Sequence, residues 1–192
     1  IRLSLVGSEM CIRDRWDSVY LVPPTRPLHP AAQAVDHTID EWWDPAIGAY
    51  LDWLFAHKWF DAFIVNYTYL SRSLLHAPST TFRILDTHDR FSDRRQLLAA
   101  HGIAPEYFHT TPEEEAKAVA RAHLVWAIKP EEAAHFSSLG STPTVTMAHA
   151  ERWAPIARAP AKEDEDYFVI GLVGGRNNIN VTTTREFLDV AI

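Results

Sequence analysis

The sequence predicts an α/β protein built on a doubly wound parallel sheet. Three observations predict it. Short runs of Val, Ile, Leu, Phe and Trp recur along the 192 residues, apolar at consecutive positions as strands buried on both faces are. Between them stand helical patterns of roughly 8–14 residues, several with proline at the first helical position. The runs end in polar clusters, where a parallel sheet presents the carboxyl ends of its strands to ligands.

Val19-Tyr20-Leu21-Val22 is the first predicted strand, stopped by Pro23-Pro24, and a Pro-rich connection leads to about His37. Asp44-Pro45 supplies an N-cap and a first-turn proline, and Ile47, Tyr50, Leu51, Leu54 and Phe55 follow at helical spacing. Ala62 to Asn66 is a second strand, apolar on both faces. Tyr69 to His76 is a short helix. Phe82 to Leu85 is a third strand that runs into Asp86-Thr87-His88-Asp89. Ser92 to His101 is a helix closed by Gly102. Thr111-Pro112-Glu113-Glu114 is a capping box whose helix runs to about Ala122. Leu124 to Ile128, a helix from Pro130, and Thr144 to Met147 complete the alternation.

Arg158 to Asp166 holds almost no large apolar side chain and reads as a linker. Beyond it, Tyr167 to Val173 is a strand, Gly174-Gly175-Arg176-Asn177-Asn178 a loop, and Thr182 to Ile192 a helix that stops in mid-pattern. The expected domains are therefore 16–157, a linker over 158–166, and the start of a second domain over 167–192.

Hydrophobic residues at 47% and charged residues at 22% are globular values. A net charge of −7 argues against a nonspecific nucleic-acid binder. No apolar run approaches the ~20 residues of a membrane-spanning helix. The stretch Leu5-Val6-Gly7-Ser8-Glu9-Met10-Cys11-Ile12-Arg13-Asp14-Arg15 resembles the translation of a transposase adapter used in sequencing libraries. Residues 1–15 are set aside on that ground. The single cysteine, Cys11, goes with them, and with it disulfide and thiolate chemistry.

The polar strand ends are Asn66-Tyr67, Asp86 to Asp89, and Ala127 to Lys129. A histidine flanked by carboxylates suits a general base, or a group that holds a sugar hydroxyl. The same cluster suits a structural turn, with Asp89 paired to Arg90, Arg94 or Arg95. A metal site would need further ligands from His101, His109 or His123. Trp42, Trp43, Trp53 and Trp59 are expected in the core. The run Glu113-Glu114-Glu115 is explained by the cap and the helix dipole, as are Glu131 and Glu132. Gly174-Gly175-Arg176 suits a phosphate, because glycines let backbone N–H groups approach it; it suits a tight turn equally.

The segments Asp61-Ala-Phe-Ile-Val-Asn66-Tyr67-Thr-Tyr-Leu and Ile84-Leu-Asp86-Thr-His88-Asp89-Arg-Phe-Ser-Asp93-Arg94 resemble the acceptor-side domain of bacterial glycosyltransferases of family 4. So do Thr110-Thr111-Pro-Glu-Glu-Glu115-Ala and Ala122-His-Leu-Val-Trp-Ala-Ile128, while Ile170-Gly-Leu-Val-Gly174-Gly-Arg-Asn-Asn-Ile-Asn180-Val resembles the start of a donor domain. The resemblance implies a GT-B architecture, two Rossmann-like domains with substrate between them. It implies a retaining hexosyl transfer from a nucleotide sugar to a glycan or lipid-linked acceptor, with no metal or other cofactor. His88 and Asp89 would be catalytic, Asn66, Tyr67, Asp86 and Arg94 would face the acceptor, and Gly174, Gly175 and Arg176 the donor. Asn177-Asn178 departs from the basic donor loop common in the family. The family's N-terminal strand with its Gly-rich loop, and its paired donor-domain glutamates, have no counterpart, so the chain is expected to be an inactive fragment. A cytoplasmic location is expected, with peripheral contact at the inner face of the membrane left open. A non-catalytic Rossmann-like nucleotide- or sugar-binding module is the other reading.

Overall fold

The computed structural model describes residues 17–25, 35–105, 107–148, 171 and 177–191. Helix α1 (Pro45–His57) starts at Asp44, whose carboxylate accepts from the Ala46 N–H, with Pro45 in the first turn. It docks through Gly48 and Leu51. A Cβ at Gly48 would lie 2.6 Å from Trp43 and 2.7 Å from His76, so only glycine admits this approach. Strand β1 (Ala62–Asn66) leads into a 3₁₀ helix (Thr68–His76), and β2 (Phe82–Asp86) follows. Helix α2 (Arg94–Ala100) ends at Gly102, whose φ of +67° is the left-handed conformation glycine adopts without strain. Helix α3 (Pro112–Val119) is capped by Thr111, whose hydroxyl accepts from the Glu114 N–H. Strand β3 (Leu124–Ala127), helix α4 (Pro130–Ser138), β4 (Thr144–Thr146) and helix α5 (Asn178–Ala191) complete the described elements.

The four strands form one parallel sheet in chain order, β1-β2-β3-β4. The register aligns Val65, Leu85 and Val125 on one face and Ile64, Ile84 and Leu124 on the other. Right-handed crossovers that all step in the same direction lay their helices on the same face. Burial agrees: Val65, Leu85, Val125 and Ala127 belong to the core, with Trp42, Tyr69, Phe91, Phe108 and Phe136. On the opposite face Ile64 and Phe82 are each 45% exposed and Val145 is 42% exposed. The expectation of a strand covered on both faces therefore fails for β1. The α/β parallel sheet is present, whereas the reversal of strand order that would make it doubly wound does not occur among the described residues.

Other expectations need correction. Val19-Tyr20-Leu21-Val22 forms no strand and Leu21 is 67% exposed. Pro23-Pro24 ends the run before a ladder can form, and Tyr20 instead accepts a hydrogen bond from Lys58 Nζ at 2.6 Å. Trp42 and Trp43 are buried, but Trp53 and Trp59 lie at the surface. Helix α5 starts four residues before the expected Thr182. The linker at 158–166, the strand at 167–173 and Gly174, Gly175 and Arg176 lie outside the described residues, Gly171 alone excepted. No helix among the described residues is long and apolar enough to cross a membrane.

Candidate functional site

Parallel pairing places Asn66 beside Asp86 and Asp86 beside Trp126, so the predicted strand-end residues are neighbours in space. The Tyr67 N–H donates to the Asp86 carbonyl at 2.8 Å, and Thr87 donates both its N–H and its hydroxyl to the Trp126 carbonyl at 3.0 Å. These bonds tie the roots of two neighbouring loops together. Above them, Tyr67 and His88 stack with ring centroids 4.6 Å apart, and Tyr67 stacks in turn on Tyr69 at 5.2 Å. Burial raises the Tyr67 phenol pKa above its ordinary value, with Tyr107, Asp89 and Asp86 adding to the shift, so Tyr67 stays a neutral hydroxyl.

The backbone is strained at this edge. Among the described residues only Tyr67 (φ 70°), His88 (φ 57°) and Asp93 (φ 60°) have positive φ without being glycine. A side chain in that region costs about 1–2 kcal/mol. Such strain persists only where surrounding contacts enforce it, and it collects at sites that do work. The His88 side chain is 41% exposed and that of Asp89 51%. His88 Nε2 stands 3.4 Å from Asp86 Oδ2 without hydrogen-bond alignment, and that nitrogen is covered and has no hydrogen-bond partner among the described residues.

Loop 87–93 is held from below by His135, which the sequence did not single out, and by Glu115, whose role is not the expected cap and dipole one. Glu115 is fully buried, and its Oε1 accepts from the N–H groups of Phe91 at 2.9 Å and Ser92 at 3.3 Å. His135 Nε2 lies 2.8 Å from Glu115 Oε2 and 3.0 Å from Ser92 Oγ. Serine, histidine and glutamate thus meet, but through one ring nitrogen. A nucleophilic relay needs two, so this is a clamp on the backbone. Arg90 adds a bond from Nε to Ser92 Oγ at 3.2 Å and a salt bridge to Asp93. Only half of the expected capping box forms: the Glu114 N–H donates to Thr111, but the Glu114 carboxylate accepts from the Ile39 N–H at 2.9 Å and pairs with Lys117. Glu115 shares the buried face with Ala118 and Val119. Those three at i, i+3 and i+4 are the signal that would have exposed it.

Arg94 Nη1 lies 3.6 Å from Asp89 Oδ2, and its guanidinium covers the Phe91 ring at 5.3 Å. Arg94 also lines a cavity of ≈ 350 Å³ with Leu98, Ala104, Tyr107, Asn177, Asn178 and Ile179. Asn177 precedes α5, and its Oδ1 accepts from the Asn180 N–H at 2.8 Å. Arg94 and the segment that follows Gly174-Gly175-Arg176 in the sequence therefore share one hollow.

Four further described histidines are committed elsewhere. His109 Nδ1 bonds Asp36 at 3.0 Å and His37 Nδ1 bonds Glu41 at 2.9 Å, both rings in the core. His101 Nδ1 meets the Leu97 carbonyl, and the His123 ring nitrogens face the Arg83 amide and guanidinium. Among the described residues no three His, Cys, Asp or Glu groups could hold a metal ion. Glu132 is buried beside Lys129, 3.5 Å away. No protein-family model, curated protein or solved structure matches the chain.

Proposed function

We propose that this chain is the acceptor-side part of a GT-B glycosyltransferase, with the first elements of its donor-side domain. One observation carries the reading. Arg94, ion-paired to Asp89 in the loop after β2, lines the same cavity as Asn177, Asn178 and Ile179, which follow Gly174-Gly175-Arg176 in the sequence. A cleft enzyme of this kind needs acceptor residues and donor loop to meet across one hollow, since holding both reactants is most of what the protein supplies.

In this reading His88 receives the acceptor hydroxyl. Asp86, 3.4 Å from its Nε2, orients the ring and stabilises the imidazolium that forms when the hydroxyl proton is taken. Tyr67 fixes the ring plane by stacking and stays a neutral hydrogen-bonding group. Gly174, Gly175 and Arg176 take the diphosphate of the donor, through backbone N–H groups and the guanidinium. The exposure of Ile64, Phe82 and Val145 on the far face of the sheet, and a β1 edge unpaired among the described residues, support a doubly wound Rossmann-like domain.

The test starts from the natural gene, recovered beyond both ends of this sequence. Its product is expected to release a nucleoside diphosphate from a nucleotide sugar when a glycan acceptor is supplied. A reading frame that closes shortly after Ile192, or a full-length product that consumes no nucleotide sugar, sinks the proposal.

A further inference from the structure

At the amino end of β2 a side chain takes the place of a strand partner. Successive residues of a strand between two others send their N–H groups to opposite neighbours. The Phe82 N–H reaches the Asp61 carbonyl on the β1 side at 2.8 Å, and the Thr87 N–H reaches the Trp126 carbonyl on the β3 side at 3.0 Å. Arg83 is in phase with Thr87, but β3 begins only at Leu124. The Arg83 N–H meets the ring of His123 instead, 3.1 Å from Nδ1, while the His123 N–H donates to the Arg83 carbonyl at 2.9 Å.

That contact fixes the tautomer. A backbone N–H only donates, so Nδ1 accepts, and the proton of the neutral ring sits on Nε2. Nε2 stands 2.9 Å from Nη2 of Arg83, and a guanidinium also only donates. Two donors therefore face each other with no acceptor between them. Arg83 Nε is covered and has no hydrogen-bond partner, and no carboxylate among the described residues pairs with this guanidinium. Residues 79–87 and 119–127, on either side of the pair in the sequence, are all described. A half-buried charge left without a counter-charge is costly. The Phe82 ring, 5.3 Å from that of His123 and 45% exposed, flanks the pair.

We propose that Arg83 and His123 form a binding site for an oxyanion of phosphate size. Its oxygens accept from Nη2 and Nε2 together, which turns a donor–donor contact into two hydrogen bonds, one of them charge-assisted. The site lies at the opposite end of β2 from loop 87–93 and does not rest on the transferase reading.

The experiment uses the 192-residue chain. Nitrogen-15 NMR of the imidazoles, with His123 assigned by its loss in His123→Asn, reads the tautomer and is repeated as inorganic phosphate replaces chloride at constant ionic strength. Melting temperature is followed over the same titration, since an anion that binds the folded chain raises it. Asparagine keeps an acceptor near the Arg83 N–H and removes Nε2, whereas Arg83→Met keeps the stem and removes the guanidinium. The expected result is a His123 ring protonated on Nε2, a saturable phosphate shift of that nitrogen, and a rise in melting temperature. Both substitutions should weaken phosphate binding about tenfold or more, the weight of one charge-assisted hydrogen bond. The proposal is overturned if the ring proton is found on Nδ1, if phosphate does no more than chloride, or if the phosphate effect survives both substitutions. Should either variant fail to fold, the tautomer and the titration of the wild-type chain decide alone.

Discussion

His109 and His88 each stand beside an aspartate, in opposite surroundings. His109 is wholly buried and bonded to Asp36 at 3.0 Å, and it pins the segment before α1 to the chain before α3 through the His37 N–H to His109 carbonyl bond. His88 is 41% exposed, strained at φ 57°, and 3.4 Å from Asp86 without a hydrogen bond. The same two residue types build a frame where the bond is complete and the backbone relaxed. Where the bond is incomplete and the backbone strained, a ring nitrogen is left without a hydrogen-bond partner among the described residues. The Glu115–His135 clamp belongs with the first kind and enforces the second.

The largest effect is expected at that clamp. Glu115→Ala removes the acceptor from two buried N–H groups, each worth about 1–3 kcal/mol when orphaned, so a loss of about 3 kcal/mol should appear in urea unfolding. A loss below about 1 kcal/mol would mean that loop 87–93 holds its shape without Glu115. Asp36→Asn comes next, at about 1 kcal/mol, because its Arg95 bridge is partly screened by solvent. The Arg95 hydrogen bond holds the Asp36 pKa below its ordinary 3.8, with His109 contributing. A depressed carboxyl pKa stabilises the fold above that ordinary value, and the contribution is lost as pH falls through the folded value. Wild type and Asp36→Asn should therefore differ in melting temperature near neutral pH and converge in acid. A gap that persists below the folded pKa would trace the effect to packing. The smallest effect separates two replacements of His88. Both lose the stack on Tyr67, but only alanine keeps the strain at positive φ, so His88→Gly should be more stable than His88→Ala by about 1 kcal/mol. Equal stabilities would place residue 88 in a relaxed conformation.

Local patterns were legible. Ala62 to Asn66 and Phe82 to Asp86 were readable as strands because their apolar runs need no distant partner to be recognised. Asp44-Pro45, Gly102 and Thr111-Pro112 announced helix ends because caps act within four residues. What depended on a partner was hidden. Spacing puts Trp53 on a helix but not on its buried face, and an apolar run such as Val19 to Val22 makes no strand without a neighbouring strand to pair with. Glu115 was concealed because a glutamate in the first turns of a helix already has a local reason to be there. The site itself divides the same way. The Asp86 to Asp89 cluster showed in the sequence, whereas the Tyr67 stack, the three left-handed residues and the cavity shared by Arg94 and Asn177 exist only in the fold.

The contrast between frame and poised histidine is tested most directly by one substitution read in two ways. His88→Ala in the 192-residue chain should keep the melting temperature within a few degrees, since a loss near 1 kcal/mol moves a domain of this size by roughly 2–4 °C. In the full-length natural product the same substitution should lower nucleotide-sugar turnover about a hundredfold or more, the usual weight of a general base. A variant that melts far lower yet turns over at the wild-type rate would place His88 with the frame, and contradict the account.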